Sequence, residues 1–225
     1  MGFKSKKVKD RIRRKASYFN DLITRSVYNS NAIEGNTLSY FETYAILFSK
    51  DEIINKRRAR EIYEAINLKY AIDYVMRNSN KDISLDMIIK IATFINKNIN
   101  KIDNFREDYV RIKGSQHIPP SHLEIRHRLM EVLYKYCYSS EDIDIKIARF
   151  HIDFERIHPF QDGNGRTGRV LIFKEYINNG LLPPVITVEQ RTDYMNLLEN
   201  YDIEGMARLL RENRMAEEYR IKHLR

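Results

Sequence analysis

Apolar side chains recur three and four positions apart along most of the chain, and that spacing predicts helices. Ile62, Ile66 and Tyr70 make one such stripe, and Ile88, Ile91, Ile95 and Ile99 a second. Ile125, Leu129, Val132 and Tyr136 make a third, continued by Ile143, Ile147, Phe150, Phe154 and Ile157. Val170, Phe173 and Ile177 begin another. A helix with one apolar stripe must bury it against neighbours, so the pattern predicts a bundle around a few central helices. Ser39 with Glu42 three residues on is a capping box, which predicts a helix over 40–48. Only Tyr109–Ile118 breaks the rhythm: Val110 and Ile112 alternate with Arg111 and Lys113, Gly114-Ser115 supplies a turn, and Pro119 bars immediate entry into the next helix. The expected fold is therefore all-α with one small β-hairpin, either structural edging or a flap that offers backbone groups to an extended peptide.

Composition adds limits. Glycine and proline are scarce, at 8 and 5 residues, and 43% hydrophobic against 31% charged residues describes an ordinary folded chain. No run nears the roughly 18 apolar residues of a membrane span, and the start has no apolar leader, so the expectation is a cytoplasmic protein without a membrane partner. Lys6 stands where a myristoylation signal wants Ser or Thr. The net charge of +8 invites a nucleic-acid reading. Residues 1–15, however, hold eight basic side chains against Asp10 alone, so the remainder is nearly neutral and no broad phosphate-tracking face is implied. Cys137, within the aromatic run Tyr134–Tyr138, has no disulfide partner and reads as a buried or half-buried packing residue.

The candidate chemistry lies between His158 and Arg169. Pro159 ends the preceding helix and presents His158 at its tip, an imidazole able to accept a proton near neutral pH. Gly163, Asn164 and Gly165 suit a tight loop whose amides converge, and the helical pattern resumes at once. The loop thus feeds a helix N-terminus, where free N–H groups favour an anion. Arg166 and Arg169, three apart, are mildly unfavourable there unless a polyphosphate lies between them and the amides. Asp162 beside such a site is a natural Mg²⁺ ligand, with phosphate oxygens and waters completing the shell. Phe160 reads as the loop's apolar anchor. Each feature alone is ordinarily structural; together they describe a phosphate-handling site, and one that is not a P-loop, since no strand and no Lys-Ser/Thr pair are present.

HPFQDGNGR, completed by Arg169, resembles the signature of the Fic family, protein adenylyltransferases of mostly helical fold. Phe105-Arg106 and VRIKGSQHIPP resemble the approach to the family's hairpin flap and the flap itself; ARFHIDFERIHPF resembles the helix entering the loop. GLLPP and the segment around Tyr194 and Leu197 resemble the wall of the nucleotide pocket. The resemblance implies that His158 deprotonates a Tyr, Thr or Ser hydroxyl of a protein target, which attacks the α-phosphate of ATP. It implies Mg²⁺ on Asp162, phosphate oxygens cradled by Gly163, Asn164 and Gly165, and Arg166 and Arg169 near the β- and γ-phosphates. The family's Doc branch, which resembles a kinase, has lysine where Gly165 stands, so the resemblance favours AMP transfer.

SNAIEGN, Ser30–Asn36, reads by itself as a helix end closed by Gly35. It also matches the family's inhibitory motif, Ser/Thr-x-x-x-Glu-Gly/Asn, in the subgroup that carries its inhibitory helix at the N-terminus. Glu34 would then hold Arg169 and keep the γ-phosphate from its productive place. Relatives also use this glutamate to remove AMP, and a non-catalytic nucleotide-binding domain is a further alternative. A homodimer is one assembly the resemblance implies. The expected layout is a basic tail over 1–16 and a single domain over 17–225. That domain carries the inhibitory helix near 24–35, the hairpin near 109–118 and the catalytic loop at 158–169.

Overall fold

In a computed structural model the chain is described over residues 2–49 and 59–223, and there it is helical with no strand. Ten α-helices are described: α1 Gly2–Arg13, α2 Ala16–Ile33, α3 Tyr40–Phe48, α4 Ala59–Arg77, α5 Leu85–Ile95, α6 Ile125–Tyr138, α7 Ile143–Ile157, α8 Asn164–Asn178, α9 Arg191–Glu199 and α10 Ile203–His223. Single 3₁₀ turns, His122–Glu124 and Val188–Gln190, precede α6 and α9.

The centre of the bundle is α8. Almost every residue from Asn164 to Asn178 is buried, because α1, α2, α4, α5 and α7 all pack on it. A helix covered on every side shows no single apolar stripe. α7 lies between α8 on one side and α6 and α10 on the other, burying Ile147, Phe150, Phe154 and Ile157. The capping box forms as expected: Glu42 N–H donates to Ser39 Oγ at 3.2 Å, and Ser39 N–H donates to Glu42 Oε2 at 2.8 Å.

Several expectations need correction. The buried face of α4 is Ala65, Leu68, Ala71, Ile72 and Val75, while Tyr70 is exposed and Ile62 and Ile66 are only half-buried. Four neighbours, α2, α3, α5 and α8, cover the face of Ala65, Leu68, Ala71, Ile72 and Val75 and leave Ile62, Ile66 and Tyr70 at the margin. Cys137 is exposed, because α6 packs one face inward and its last turn points Tyr134, Cys137 and Tyr138 outward. The basic stretch read as a tail is α1, docked on α2 and α8 through Val8 and Ile12, with Ser5 hydrogen-bonded to Ser79 at 2.7 Å. The helix expected near 24–35 begins at Ala16.

The hairpin does not form. Residues 109–118 make a turn, closed by Ser115 N–H to Ile112 O at 3.2 Å, without a ladder. Several of their polar groups are bonded outside the segment. Glu199, at the end of α9, accepts from Ser115 Oγ and from Gln116 N–H, and His117 Nε2 lies 2.9 Å from Arg156 O. Glu199 thereby takes one backbone N–H that a ladder would otherwise use.

Candidate active site

His158 caps α7 in the left-handed region, with φ 50° and ψ 60°, which a non-glycine residue adopts only when its surroundings enforce it. His158 N–H still bonds Phe154 O, and its Nδ1 lies 3.3 Å from Glu155 O. Nδ1 faces an acceptor, so it carries the proton and Nε2 keeps a free lone pair. Burial holds the imidazole below its ordinary pKa; Arg106 and His117 add to that, while the bond to Glu155 O and the charge of Glu34 oppose it. A neutral His158 with Nε2 open is a base at neutral pH.

The loop beyond it is stapled from within. Asn164 Oδ1 accepts from Phe160 N–H at 2.9 Å, and Asn164 Nδ2 donates to Phe160 O at 2.8 Å. The Phe160 ring is fully buried. Gly163 takes φ +80°, and a Cβ there would come within 2.8 Å of Asn96 Nδ2, so the loop can turn only with glycine. α8 then starts with no side-chain cap, leaving its first N–H groups directed at the cleft.

The segment around Glu34 enters from α2. A helix end ordinarily leaves carbonyls without partners. Here Glu34 N–H bonds Asn31 O instead of Ser30 O, and Ser30 O accepts from Arg169 Nη2 at 2.9 Å. Arg169 Nε donates to Ser30 Oγ at 2.8 Å, and Nη2 reaches Glu34 Oε1 at 2.7 Å. A carboxylate at a helix C-terminus opposes the helix dipole, and the guanidinium offsets that repulsion. Burial works against the charge of Arg169, but Glu34, Tyr194 and Glu155 outweigh it and raise its pKa. The Glu34 carboxylate lies against Gly165, where a Cβ would overlap it.

These groups share one cleft of about 640 Å³, a size suited to a small-molecule ligand. Glu34, His158, Asp162, Gly163, Asn164, Gly165, Arg169 and Tyr194 line it, together with the turn at 111–115. Tyr194 is fully buried, with its hydroxyl 2.7 Å from His151 Nε2 and 3.4 Å from Arg169 Nη1.

Two expected residues are placed elsewhere. Arg166 does not line the cleft: it is 3% exposed and turned toward α4, with Nη1 3.4 Å from Glu64 Oε1 and Nη2 3.1 Å from Asp162 Oδ1. Two arginines three apart on a helix share a face near the backbone, but long side chains splay toward different carboxylates, here Glu64 and Glu34. Leu197 also leaves the cleft, packing toward Gly205 at the start of α10, while Met195, Asn196 and Leu198 line the wall. Asp162 Oδ2 accepts from Arg60 Nη2 and Asn100 Nδ2, both at 2.8 Å. Arg60, Glu64 and Asn100 carry no sequence signal for the site, since each is isolated; Arg60 and Asn100 stand 102 and 62 positions before Asp162. Glu155, buried beside Arg169, had no role of its own in the sequence and stood only within the segment ARFHIDFERIHPF.

Residues 82–175 match the Fic/DOC family. Protein adenylyltransferase Fic from Nematostella vectensis is 29% identical over 191 residues, covering 82% of this chain and 43% of the relative. Protein adenylyltransferase fic-1 from Caenorhabditis elegans is 30% identical over 175 residues, covering 75% of this chain and 34% of the relative. The chain thus spans less than half the length of these curated relatives. Among solved structures, a fragment of Fic-1 from C. elegans superposes with TM-score 0.80 at 24% identity, covering 97% of this chain and 69% of that one. A Fic-domain signalling protein from Bacteroides thetaiotaomicron superposes at 0.76 with 19% identity, covering 96% and 95%. The two structural likenesses are of fold.

Proposed function

The chain belongs to the Fic/DOC family, and on that premise we propose that it transfers AMP from ATP to a Tyr, Thr or Ser hydroxyl of a protein, restrained by Glu34. The observation that carries this reading is one cleft holding an open imidazole nitrogen, an uncapped helix N-terminus and an arginine already taken by a carboxylate. His158 Nε2 accepts the hydroxyl proton as the oxygen bonds to the α-phosphorus, and the bond to pyrophosphate breaks. The first amides of α8 and the backbone of Gly163, Asn164 and Gly165 hold phosphate oxygens in place before reaction, where preorganised donors act most strongly.

Asp162 is the residue that would hold Mg²⁺. Among the described residues no group of three or more His, Cys, Asp or Glu side chains forms a self-sufficient metal site. One accessible carboxylate fits an ion that arrives with phosphate oxygens and waters as its other ligands. Bound there, Mg²⁺ would neutralise phosphate charge. To accept it, the Asp162 carboxylate exchanges its contacts with Arg60, Asn100 and Arg166.

In this reading Glu34 is the brake. An arginine committed to Glu34 and Ser30 does not clamp a γ-phosphate, and the carboxylate adds repulsion for the ligand. The same carboxylate is 38% exposed in the cleft, so once released it can orient a water for AMP removal. Release of AMP from a modified target, with and without the E34Q substitution, measures that second direction.

His158→Ala tests the base. AMP incorporation should fall by about 10²–10⁴-fold while ATP binding by calorimetry is retained. Undiminished transfer removes His158 from the role.

A further inference from the structure

Arg106 is 5% exposed and, among the described residues, forms no ion pair with a carboxylate. It spends its fork on carbonyls instead. Nε donates to His158 O at 2.9 Å, Nη1 to Asp108 O at 2.7 Å, and Nη2 to Pro120 O at 2.6 Å and Ile157 O at 3.5 Å. Its own backbone N–H donates to Pro159 O at 2.9 Å.

The choice of carbonyls is informative. Ile157 and His158 end α7, where unpaired carbonyls and the negative end of the dipole favour a cation. That compensates a buried guanidinium lacking an acidic partner. His158 is also the strained residue, at φ 50°, and holding its carbonyl opposes relaxation to an ordinary backbone conformation. Asp108 and Pro120 are the two ends of the segment that borders the cleft, so one side chain closes the neck of that loop while Glu199 holds its tip. The surroundings make the arrangement rigid: Phe105 packs on the buried Phe160 at 5.7 Å between ring centroids, and Arg126 lies 5.8 Å over the Phe105 ring.

We propose that Arg106 is a positioning residue that ties the catalytic base to the 109–119 segment, so that the imidazole and the cleft wall beside it keep one fixed relation. Where a protein hydroxyl enters over that wall, which rests on the AMP-transfer reading above, the tie sets the distance between acceptor oxygen and His158 Nε2. Lysine does not replace this arrangement, because a single ammonium on a flexible stem cannot span carbonyls on three segments.

The test uses Arg106→Lys and Arg106→Met in the full chain, read in three ways. The first is hydrogen exchange of amides 109–119 without nucleotide. Both variants should exchange faster there than wild type, with α8 unchanged. The second is the NMR titration of the His158 imidazole. The charged groups facing it are Arg106, His117 from the loop and Glu34 from α2. Arg106 favours the neutral ring, so its loss in the Met variant should raise the midpoint, while Lys keeps it near wild type. The third is steady-state AMP transfer, in which kcat should fall by about 100-fold in both variants with the KM for ATP preserved. Wild-type exchange of 109–119 and an unmoved midpoint in the Met variant would overturn the proposal. So would a loss confined to the KM for ATP. If wild type itself transfers no AMP, the reaction reading fails, while exchange and titration still decide the tie. If the Met variant does not fold, exchange and kcat in the Lys variant decide it.

Discussion

Glu155 and His151 stand on successive turns of α7 and press on the backbone at Gly168, where a Cβ would overlap both. Burial pushes the Glu155 carboxyl up to about 8, against the pull of Arg169, and pushes His151 down to about 3. Both groups are therefore neutral at neutral pH, and they bend the stability curve in opposite directions. Between about 4.5 and 8 the unfolded chain gives up the Glu155 proton while the folded one keeps it, so this group lowers stability as pH rises. Between about 3 and 6.5 the unfolded chain binds a proton at His151 that the folded one refuses, so stability is lost as pH falls through that window. Glu155→Gln should leave stability near pH 4 almost unchanged and add roughly 4 kcal/mol at pH 8. Urea unfolding of both proteins at the two pH values measures it, and parallel curves contradict it. At this scale the sequence was only partly readable. Ser30 and Glu34 meet Arg169 across 139 and 135 positions, and two motifs and a family resemblance named them; Arg106 stood out only as part of that resemblance, and nothing local marks Glu64 or Arg60, because their roles arise only when distant segments meet.

Elements were more legible where one face is buried. The stripes of α6 and α7 and the Ser39–Glu42 cap translate directly into structure, because a single apolar face and a local hydrogen-bond pair are properties of short segments. α4 was read on the wrong one of two apolar stripes, because both satisfy the helical spacing and only the packing of four helices selects the covered one. The 109–118 turn was read as a hairpin because alternation describes side chains and not the fate of backbone bonds; here Glu199 takes the Gln116 N–H, and Arg106 holds the carbonyls of Asp108 and Pro120 that flank the segment. The docking face of α1 was hidden by its charge, which reads as a solvated basic helix start: Val8 and Ile12 are a short stripe among eight cations. If that stripe docks α1 as described, Ile12→Ala costs about 2–5 kcal/mol and lowers Tm by several degrees. An unchanged Tm contradicts the docking.

At the scale of the molecule, the buried helix α8 places Arg169 and its first amides in the cleft, α7 ends at His158 beside them, and α2 brings Glu34 onto Arg169. The basic segment is drawn onto this body, with Arg11 paired to Glu218 and Lys15 Nζ bonded to Ile221 O at 2.7 Å. No described helix is long and apolar enough to cross a membrane. The central claim is that the cleft is built for AMP transfer and held back by the Glu34–Arg169 contact at 2.7 Å. Intact mass spectrometry after incubation with ATP and Mg²⁺ tests it most directly, comparing wild type, Glu34→Gly and the Glu34→Gly, His158→Ala double substitution. The account predicts a gain of one AMP that is at least about tenfold more abundant in Glu34→Gly than in wild type, and absent from the double variant. Equal or lower incorporation in Glu34→Gly, or incorporation that survives loss of His158, would contradict it.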